Sequence, residues 1–189
     1  MSKVKLLVLM SAGLGVVGAV ASVLMHGPNP FLHPSPMMEL SPGVREATST
    51  AVGLGFGAVM VLLSRIASRY ALWARRLHQD LRPVALLLSP SMIVVVALLS
   101  GLSEELLFRS FLVPWVGVVP QAIVFGLLHQ VSGPSRWVWM VWAAGVGLVF
   151  GLMYEVFGTL SGPVVAHALI NGLNLRFMRS TDPFVAIAD

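Results

Sequence analysis

Six runs of 18 to 26 residues without a charged side chain constrain what this 189-residue chain can fold into. A bilayer-spanning helix needs roughly 20 mostly apolar residues, so each run is long enough to cross a membrane. Only 11% of the residues are charged, against about 25% in ordinary soluble domains. We therefore predict an all-α, polytopic membrane bundle of about six transmembrane helices, forming one domain over residues 1–189. The predicted spans are 6–25, 47–64, 83–103, 110–135, 137–154 and 156–175.

Local signals refine these spans. The third helix is predicted to continue through GLSEELLFRSFL to about Leu112, and the fourth to be short, from Pro120 to about Val131. The first run is longer than the apolar core of a signal peptide, so we expect it to be retained as a span. Segment 66–82 alternates apolar residues with arginines at helical spacing. It fits an interfacial helix and an extension of the second span equally well.

The basic residues predict the orientation, because short cytoplasmic loops accumulate Lys and Arg. With the N-terminus inside, ten basic residues lie in inner segments and only Arg45 lies in an outer loop. Both termini are therefore expected in the cytoplasm, and the basic excess serves orientation rather than nucleic-acid binding. The chain has no cysteine, which excludes disulfides, a thiol nucleophile and thiolate metal sites. The inner basic residues are Lys3, Lys5, Arg65, Arg69, Arg75, Arg76, Arg82, Arg136, Arg176 and Arg179.

Ionisable residues in membrane helices are costly, at about 2.5 to 3.5 kcal/mol each on insertion scales, and therefore indicate function. Glu105 and Arg109 are four residues apart with the acid first, so they can neutralise each other on one helix. That pairing leaves Glu104 without a local partner. An ion cluster that only locks helix packing remains an alternative. The polar groups in or beside the spans are Glu104, Glu105, Arg109, His129, His167 and Asn171.

Three of these groups are expected at one depth. Glu104, His129 and His167 lie eight to ten residues from the predicted outer ends of their helices. At ~1.5 Å per residue this places all three roughly 12 to 15 Å below the outer face. Asn171 shares a helix face with His167 because the two are four residues apart. We therefore expect the four side chains to converge.

A carboxylate and two imidazoles in one cavity suit hydrolysis. Glu104 can take a proton from water and pass it to a leaving amine, while His129 holds that water. His167 and Asn171 can donate hydrogen bonds to the oxyanion of a tetrahedral intermediate. Alternatively, Glu104, His129 and His167 bind zinc, whose catalytic sites take three such ligands plus water. We favour no cofactor, because the spare carboxylate Glu105 is matched to Arg109 and a zinc-bound histidine usually needs such a partner.

These residues resemble the EExxxR, FxxxH and HxxxN motifs of CPBP intramembrane proteases, the relatives of the CAAX prenyl endopeptidase. The three motifs occur in order within about 89–175, the expected protease core. The matching residues are Glu104, Glu105 and Arg109, then Phe125 and His129, then His167 and Asn171.

The resemblance implies a helical membrane endopeptidase in a prokaryotic plasma membrane, which cuts near the C-terminus of a membrane-associated or exported protein. It implies that Glu104 activates water, with His129 as its partner, and that His167 and Asn171 bind the oxyanion or a ligand. Glu105 and Arg109 would then be supporting residues. The implied partners are a protein or peptide substrate with a C-terminal membrane-associated segment and the lipid bilayer.

The charge pattern opens the expected site to the outside, which favours the bacterial myxosortase-like branch over CAAX processing. Other functions remain open on the sequence. A rhomboid-type serine protease would use Ser161 and His167, but it leaves the glutamate pair unexplained. A proton-coupled transporter would use the buried glutamate and histidines as a relay. A catalytically silent scaffold or bacteriocin-immunity protein would keep the same fold.

Overall fold

The computed structural model describes residues 3–185, and within them seven helices follow one another without a sheet. The fourth helix contains a π-helical stretch, Leu106–Leu112, between two α-helical parts. The helices are α1 (Lys3–His26), α2 (Pro42–Tyr70), α3 (Leu72–Leu87), α4 (Pro90–Val116), α5 (Val118–Leu128), α6 (Arg136–Phe157) and α7 (Ser161–Ser180).

Among the described residues, four helices are long and apolar enough to cross a bilayer, namely α1, α2, α4 and α6. Helix α5 is apolar but has only 11 residues. Helix α7 has 20 residues, but its C-terminal half carries asparagines and arginines. The predicted all-helical membrane fold is confirmed, whereas the count of six spans stays a prediction.

Burial separates a central helix from peripheral ones. Half of the apolar stretch of α4 is buried, against 17% in α1 and 11% in α2. The outward faces of α1 and α2 carry many exposed Leu and Val side chains. Such surfaces are stable when lipid replaces water around them. Helix α4, which carries both glutamates, is therefore the core of the bundle.

A break at Ala71 separates α2 from α3. Ala71 has extended backbone angles, φ −114° and ψ 124°. The guanidinium of Arg75 donates to the backbone carbonyls of Ser68 and Arg69, which holds the chain on both sides of the break. Residues 66–70 thus extend α2, which was one of the two predicted possibilities. Residues 72–82 belong to the separate helix α3, as the other possibility required.

The predicted boundaries of α4 and α5 differ from the observed ones by a few residues. Helix α4 begins at Pro90, where the side chain of Ser89 accepts a hydrogen bond from the backbone amide of Met92. It continues to Val116, four residues beyond the predicted end. Helix α5 ends three residues before the predicted Val131, because the chain turns at His129.

Loop 27–41 closes one end of the bundle, which we call the proline end. The backbone of this loop bonds to the segment between α6 and α7: the amides of His33 and Met37 donate to the carbonyls of Gly158 and Glu155. Leu32 and Thr159 form an isolated antiparallel bridge. A buried apolar cluster lies near these contacts and consists of Leu106, Val113, Tyr154 and Leu160.

The opposite end, which we call the arginine end, contains the end of α2, helix α3, the start of α4 and the end of α7. Arginine side chains connect these elements. Arg82 of α3 pairs with Asp182, with 3.1 Å between Nη1 and Oδ2. Arg179 of α7 donates to the carbonyls of Leu86 and Leu88, which precede α4. The basic residues therefore fix the helix ends as well as the expected orientation.

Two glycines of α1 allow this helix to approach α4 closely. A side chain at Gly18 would overlap the backbone of Leu107, and one at Gly15 would overlap Ser103. Small residues have this role at helix contacts in membranes, where packing replaces the hydrophobic effect. Helix α1 thus packs directly against the π-helical stretch of α4, immediately after the glutamate pair.

Candidate active site

The two glutamates lie where α4 changes its geometry. Glu104 and Glu105 end the first α-helical part, and the π-helical stretch Leu106–Leu112 follows. Such stretches occur frequently at functional sites. One turn earlier, Gly101 lets α4 approach α7, since a Cβ atom there would lie 3.3 Å from the backbone nitrogen of Ala168. The close approach brings α4 beside His167.

The side chain of Glu104 faces two histidines. Its Oε2 atom lies 3.6 Å from Nε2 of His129 and 3.8 Å from Nε2 of His167. Within residues 3–185 this oxygen is buried and has no hydrogen-bond partner. About a fifth of the Glu104 and His129 side chains is exposed, whereas His167 is almost fully buried. One polar oxygen therefore faces two ring nitrogens at distances too long for direct hydrogen bonds.

The other nitrogen of each ring is held. Nδ1 of His129 donates to the carbonyl of Phe125 at 2.7 Å, using a carbonyl of the last turn of α5 that the helix leaves free. Nδ1 of His167 donates to Oε1 of Glu105, also at 2.7 Å. Because both Nδ1 atoms carry a proton, the Nε2 atom of either ring presents a lone pair toward Glu104 when that ring is neutral.

Glu105 and Arg109 form a fully buried pair behind the histidine. Nη1 of Arg109 donates to Oε1 of Glu105, and Nε lies 3.1 Å from Oε2. The guanidinium also donates to the carbonyl of Gly147 and lies 4.4 Å from the ring centre of Phe125. The cation thus has a carboxylate, a carbonyl and an aromatic face as partners, which offset its burial.

The structure corrects one expectation about Glu105. The sequence assigned this carboxylate to Arg109 alone and therefore found no partner for a site histidine. In the structure, Oε1 of Glu105 accepts hydrogen bonds from both Arg109 and His167. That expectation was wrong because it considered only neighbours on the same helix, and His167 comes from α7. Glu105 therefore orients His167, and the shortage of such a partner no longer argues against zinc.

Asn171 lies beside this centre rather than in it. Its Nδ2 atom donates to Oγ of Ser100, at 3.2 Å. Ser100 precedes Glu104 by one turn of α4, so Asn171 lies on the side of Glu104 that faces the arginine end. The structure thus brings Glu104, His129 and His167 together directly and reaches Asn171 through Ser100. Sequence reasoning missed Ser100, although its spacing of four residues before Glu104 was a usable signal.

The side chains of Glu104, His129 and His167 face one another, so we asked whether they could hold a metal ion. Two imidazole nitrogens and a carboxylate oxygen are donors that zinc accepts. As arranged in the described part of the chain, however, no three His, Cys, Asp or Glu side chains form a group that could hold a metal ion. The described residues thus show no assembled metal site, and we derive no step through a metal.

A cavity of about 230 Å³ lies next to the site. It is bounded by α2, α3, α6 and α7, and its walls include Trp139 and Asn171. Trp139 contacts His129 edge to face, with 5.7 Å between the ring centres. This cavity lies toward the arginine end, whereas we had expected the site to open at the outer, proline end. At the proline end, loop 27–41 bonds to the segment between α6 and α7.

Comparison with known proteins identifies the same region. Residues 86–173 match the family described as "Type II CAAX prenyl endopeptidase Rce1-like". A segment of 81 residues is 32% identical to "Uncharacterized protein YpbD" of Bacillus subtilis (strain 168) and covers 43% of this chain. It covers 42% of that protein, so the match spans less than half of the relative's length. No solved structure matches significantly.

The matched segment contains all three motifs, and the expected resemblance to the CAAX prenyl endopeptidase family is confirmed. The match is to a family of CAAX prenyl endopeptidases. Together with the four apolar helices, it supports an integral membrane protein. Neither comparison bears on the myxosortase-like branch.

Proposed function

We propose, from the premise that residues 86–173 form an Rce1-like protease segment, that this chain is an intramembrane endopeptidase. Its reaction is the hydrolysis of a peptide bond near the C-terminus of a membrane-associated protein. The observation that carries this proposal is the unpartnered Oε2 of Glu104, which faces Nε2 of both His129 and His167.

The lone pairs in this arrangement favour water. Oε2 of Glu104 and the two Nε2 atoms are all acceptors when both rings are neutral, so a donor is needed between them. A water molecule supplies two O–H groups, which acceptors 3.6 to 3.8 Å apart can share when the water lies beside them rather than on the line that joins them. Glu104 and His129 would each accept one hydrogen of that water, and its lone pair would point away toward the substrate.

The reaction then proceeds by general base and acid catalysis. Glu104 takes a proton as the water oxygen attacks the peptide carbonyl, giving a tetrahedral oxyanion. The protonated Glu104 returns this proton to the leaving nitrogen as the C–N bond breaks, which yields a carboxylic acid and an amine. Asn171 would donate to the oxyanion from its free N–H, since its other hydrogen bonds to Ser100. We propose that the chemistry needs no metal.

The hydrogen bonds of His167 argue against a serine nucleophile. Nδ1 of His167 is bound to Glu105 and Nε2 faces Glu104. A base for Ser161 would need one of these nitrogens directed at the hydroxyl. The glutamate-centred mechanism uses the contacts that are present.

The position of the cavity guides the assignment of the substrate. The arginine end is the inner end under the rule that basic residues face the cytoplasm. We therefore propose that both ends of the chain face the cytoplasm and that the substrate reaches Glu104 from that side. This access suits substrates whose C-terminal segment lies at the inner membrane surface, so we no longer favour an outward-acting, myxosortase-like role.

The test is a cleavage assay with the purified chain in proteoliposomes. Membrane proteins of the source cell would be added, and new C-termini would be identified by mass spectrometry with the unchanged chain and with Glu104→Gln. The proposal expects cut C-termini that depend on Glu104. Identical C-termini with both proteins would refute it. If the Glu104→Gln chain restored the phenotype of cells that lack this protein as well as the unchanged chain does, the protein would act as a scaffold.

A further inference from the structure

The wall of the cavity at the arginine end includes a positively charged side chain, Arg65, that the proposed mechanism does not use. Most of its wall is apolar and aromatic, including Trp73, Trp139 and Phe177. Its polar wall residues include Arg65 of α2 together with Asn171 and Asn174 of α7. The cavity therefore connects the neighbourhood of the catalytic groups with a positively charged side chain.

Arg65 has polar contacts but no acidic partner. Nη1 donates to Oδ1 of Asn174 at 3.2 Å, and Nη2 donates to the carbonyl of Leu173 at 2.7 Å. Its guanidinium carbon lies 3.8 Å from the ring centre of Phe177. Over residues 3–185, the arginines that form ion pairs are Arg45, Arg82 and Arg109.

These contacts orient Arg65 without neutralising it. A guanidinium has five N–H donors, and the two bonds to α7 leave three of them for another ligand. The planar fork of these donors matches a carboxylate, and a partly buried cation gains from an anionic partner. The aromatic face of Phe177 restrains the group, so little side-chain freedom would be lost on binding.

We propose that Arg65 binds the free α-carboxylate at the C-terminus of the peptide substrate. This inference rests on the proposed function and assigns the residue that reads the end of the substrate. The contacts of Arg65 lie at residues 173–177 of α7, whereas the catalytic groups lie at His167 and Asn171.

Asn174, which Arg65 contacts, lies seven residues beyond His167 on α7, or ~10 Å of helix rise. A short extended segment of the substrate would span this distance, since an extended peptide advances about 3.3 Å per residue.

The test compares two forms of one probe. The probe is an N-acylated peptide mixture with its last four positions randomised, prepared with a free C-terminal carboxylate or with a carboxamide. Binding is measured in proteoliposomes through the fluorescence of the cavity tryptophans Trp73, Trp139 and Trp142. Using the Glu104→Gln protein prevents cleavage during the measurement, so binding is read even if the proposed hydrolysis were wrong.

We expect the carboxylate form to bind about 10- to 100-fold more tightly, the range that charge-assisted hydrogen bonds provide. Adding Arg65→Gln should remove this preference while leaving carboxamide binding unchanged. The matched control is Arg69→Gln, one turn further along α2, which removes the same charge from an exposed position. It should keep the preference. Cleavage rates with intact Glu104 should show the same preference, and a binding preference without cleavage would refute only the proposed function.

Two outcomes would overturn the inference. Equal binding of both forms, or an equal loss of both in Arg65→Gln, would show that Arg65 only connects α2 to α7. A lipid phosphate is the alternative anion, so the measurements are repeated in phosphatidylcholine with and without phosphatidylglycerol. If Arg65→Gln removed a response to phosphatidylglycerol that is identical for both probes, Arg65 would be a lipid site instead.

Discussion

Two carboxylates one residue apart on α4 lie in opposite surroundings. On one side of the helix, Glu104 is partly exposed, and its buried oxygen faces two ring nitrogens without a hydrogen bond. On the neighbouring side, Glu105 is fully buried between Arg109 and His167, and it accepts hydrogen bonds from both. We call these the Glu104 side and the Glu105 side.

The difference shows how a membrane helix can carry an ionisable group for chemistry. A buried charge with every partner in place has little left to react with, and it holds its neighbours rigidly. The Glu105 side therefore orients the His167 ring, and this ring helps to define the space in front of Glu104. The Glu105 side thus holds the surroundings of the unpartnered Glu104 oxygen in place.

The largest expected effect is on catalysis from the Glu104 side. Glu104→Gln removes the base that accepts the proton of water, so the cleavage rate should fall by about 10³-fold. The unfolding midpoint should stay unchanged, because the amide keeps the size of the carboxylate. Glu39→Gln, at an exposed position in loop 27–41, is the matched control and should cleave normally. Near-normal cleavage by Glu104→Gln would remove the contrast between the two sides.

The next effect is on stability, from the Glu105 side. Glu105→Gln leaves the buried Arg109 without its counter-charge, and the free energy of unfolding should fall by about 3 to 5 kcal/mol. Unfolding in mixed micelles, followed by tryptophan fluorescence, measures this loss. The double variant Glu105→Leu with Arg109→Met should recover most of it, because no unpaired charge then remains. A single variant as stable as Glu104→Gln would contradict the structural role of this side.

A smaller effect on kcat is expected from changes at Asn171, which lies next to the Glu104 side. If Asn171 donates to the oxyanion, Asn171→Ala should lower kcat by about 10²-fold with little change in KM. Ser100→Ala removes only the group that positions Asn171, so we expect a clearly smaller loss. Equal losses in kcat for the two variants would show that the Ser100 contact matters only for helix packing.

The smallest expected effect is that of metal removal. Prolonged chelation should leave the cleavage rate unchanged, since the proposed water activation uses only side chains. Metal content and activity would be measured on the same sample. Stoichiometric zinc, with activity lost on chelation and restored by adding zinc, would turn Glu104, His129 and His167 into metal ligands. Glu105 would then be the partner that orients a metal-bound histidine.

The sequence predicted the elements of this site better than their contacts. The apolar runs identified α1, α2, α4 and α6, because length and hydropathy are local properties. The motif spacing placed three polar groups at one depth, and the structure has both histidine rings within 3.8 Å of Glu104. The contact of Glu105 with His167 joins residues 62 positions apart, and no local periodicity reports such a pair.

The missed local features also depend on distant partners. The π-helical stretch Leu106–Leu112 packs against α1 at Gly18, which is almost 90 residues earlier in the chain. The break at Ala71 is held by Arg75, and alanine itself favours a continuous helix. The prolines of loop 27–41 predicted irregular structure but not its bonds to Gly158 and Glu155. Tertiary packing decided each of these points.

The polar character of α7 has a consequence for biosynthesis. Helix α7 carries His167, Asn171 and Asn174, and it is not among the four described helices that are long and apolar enough to cross a bilayer. It is synthesised after α4 and α5, whose Glu104 and His129 are already in place when it emerges. Its polar face finds partners only on helices that are already inserted, through Glu105, Ser100 and Ser64. A nascent chain therefore holds an incomplete set of the proposed catalytic groups, and the proposed hydrolysis would begin only when assembly of the bundle is finished.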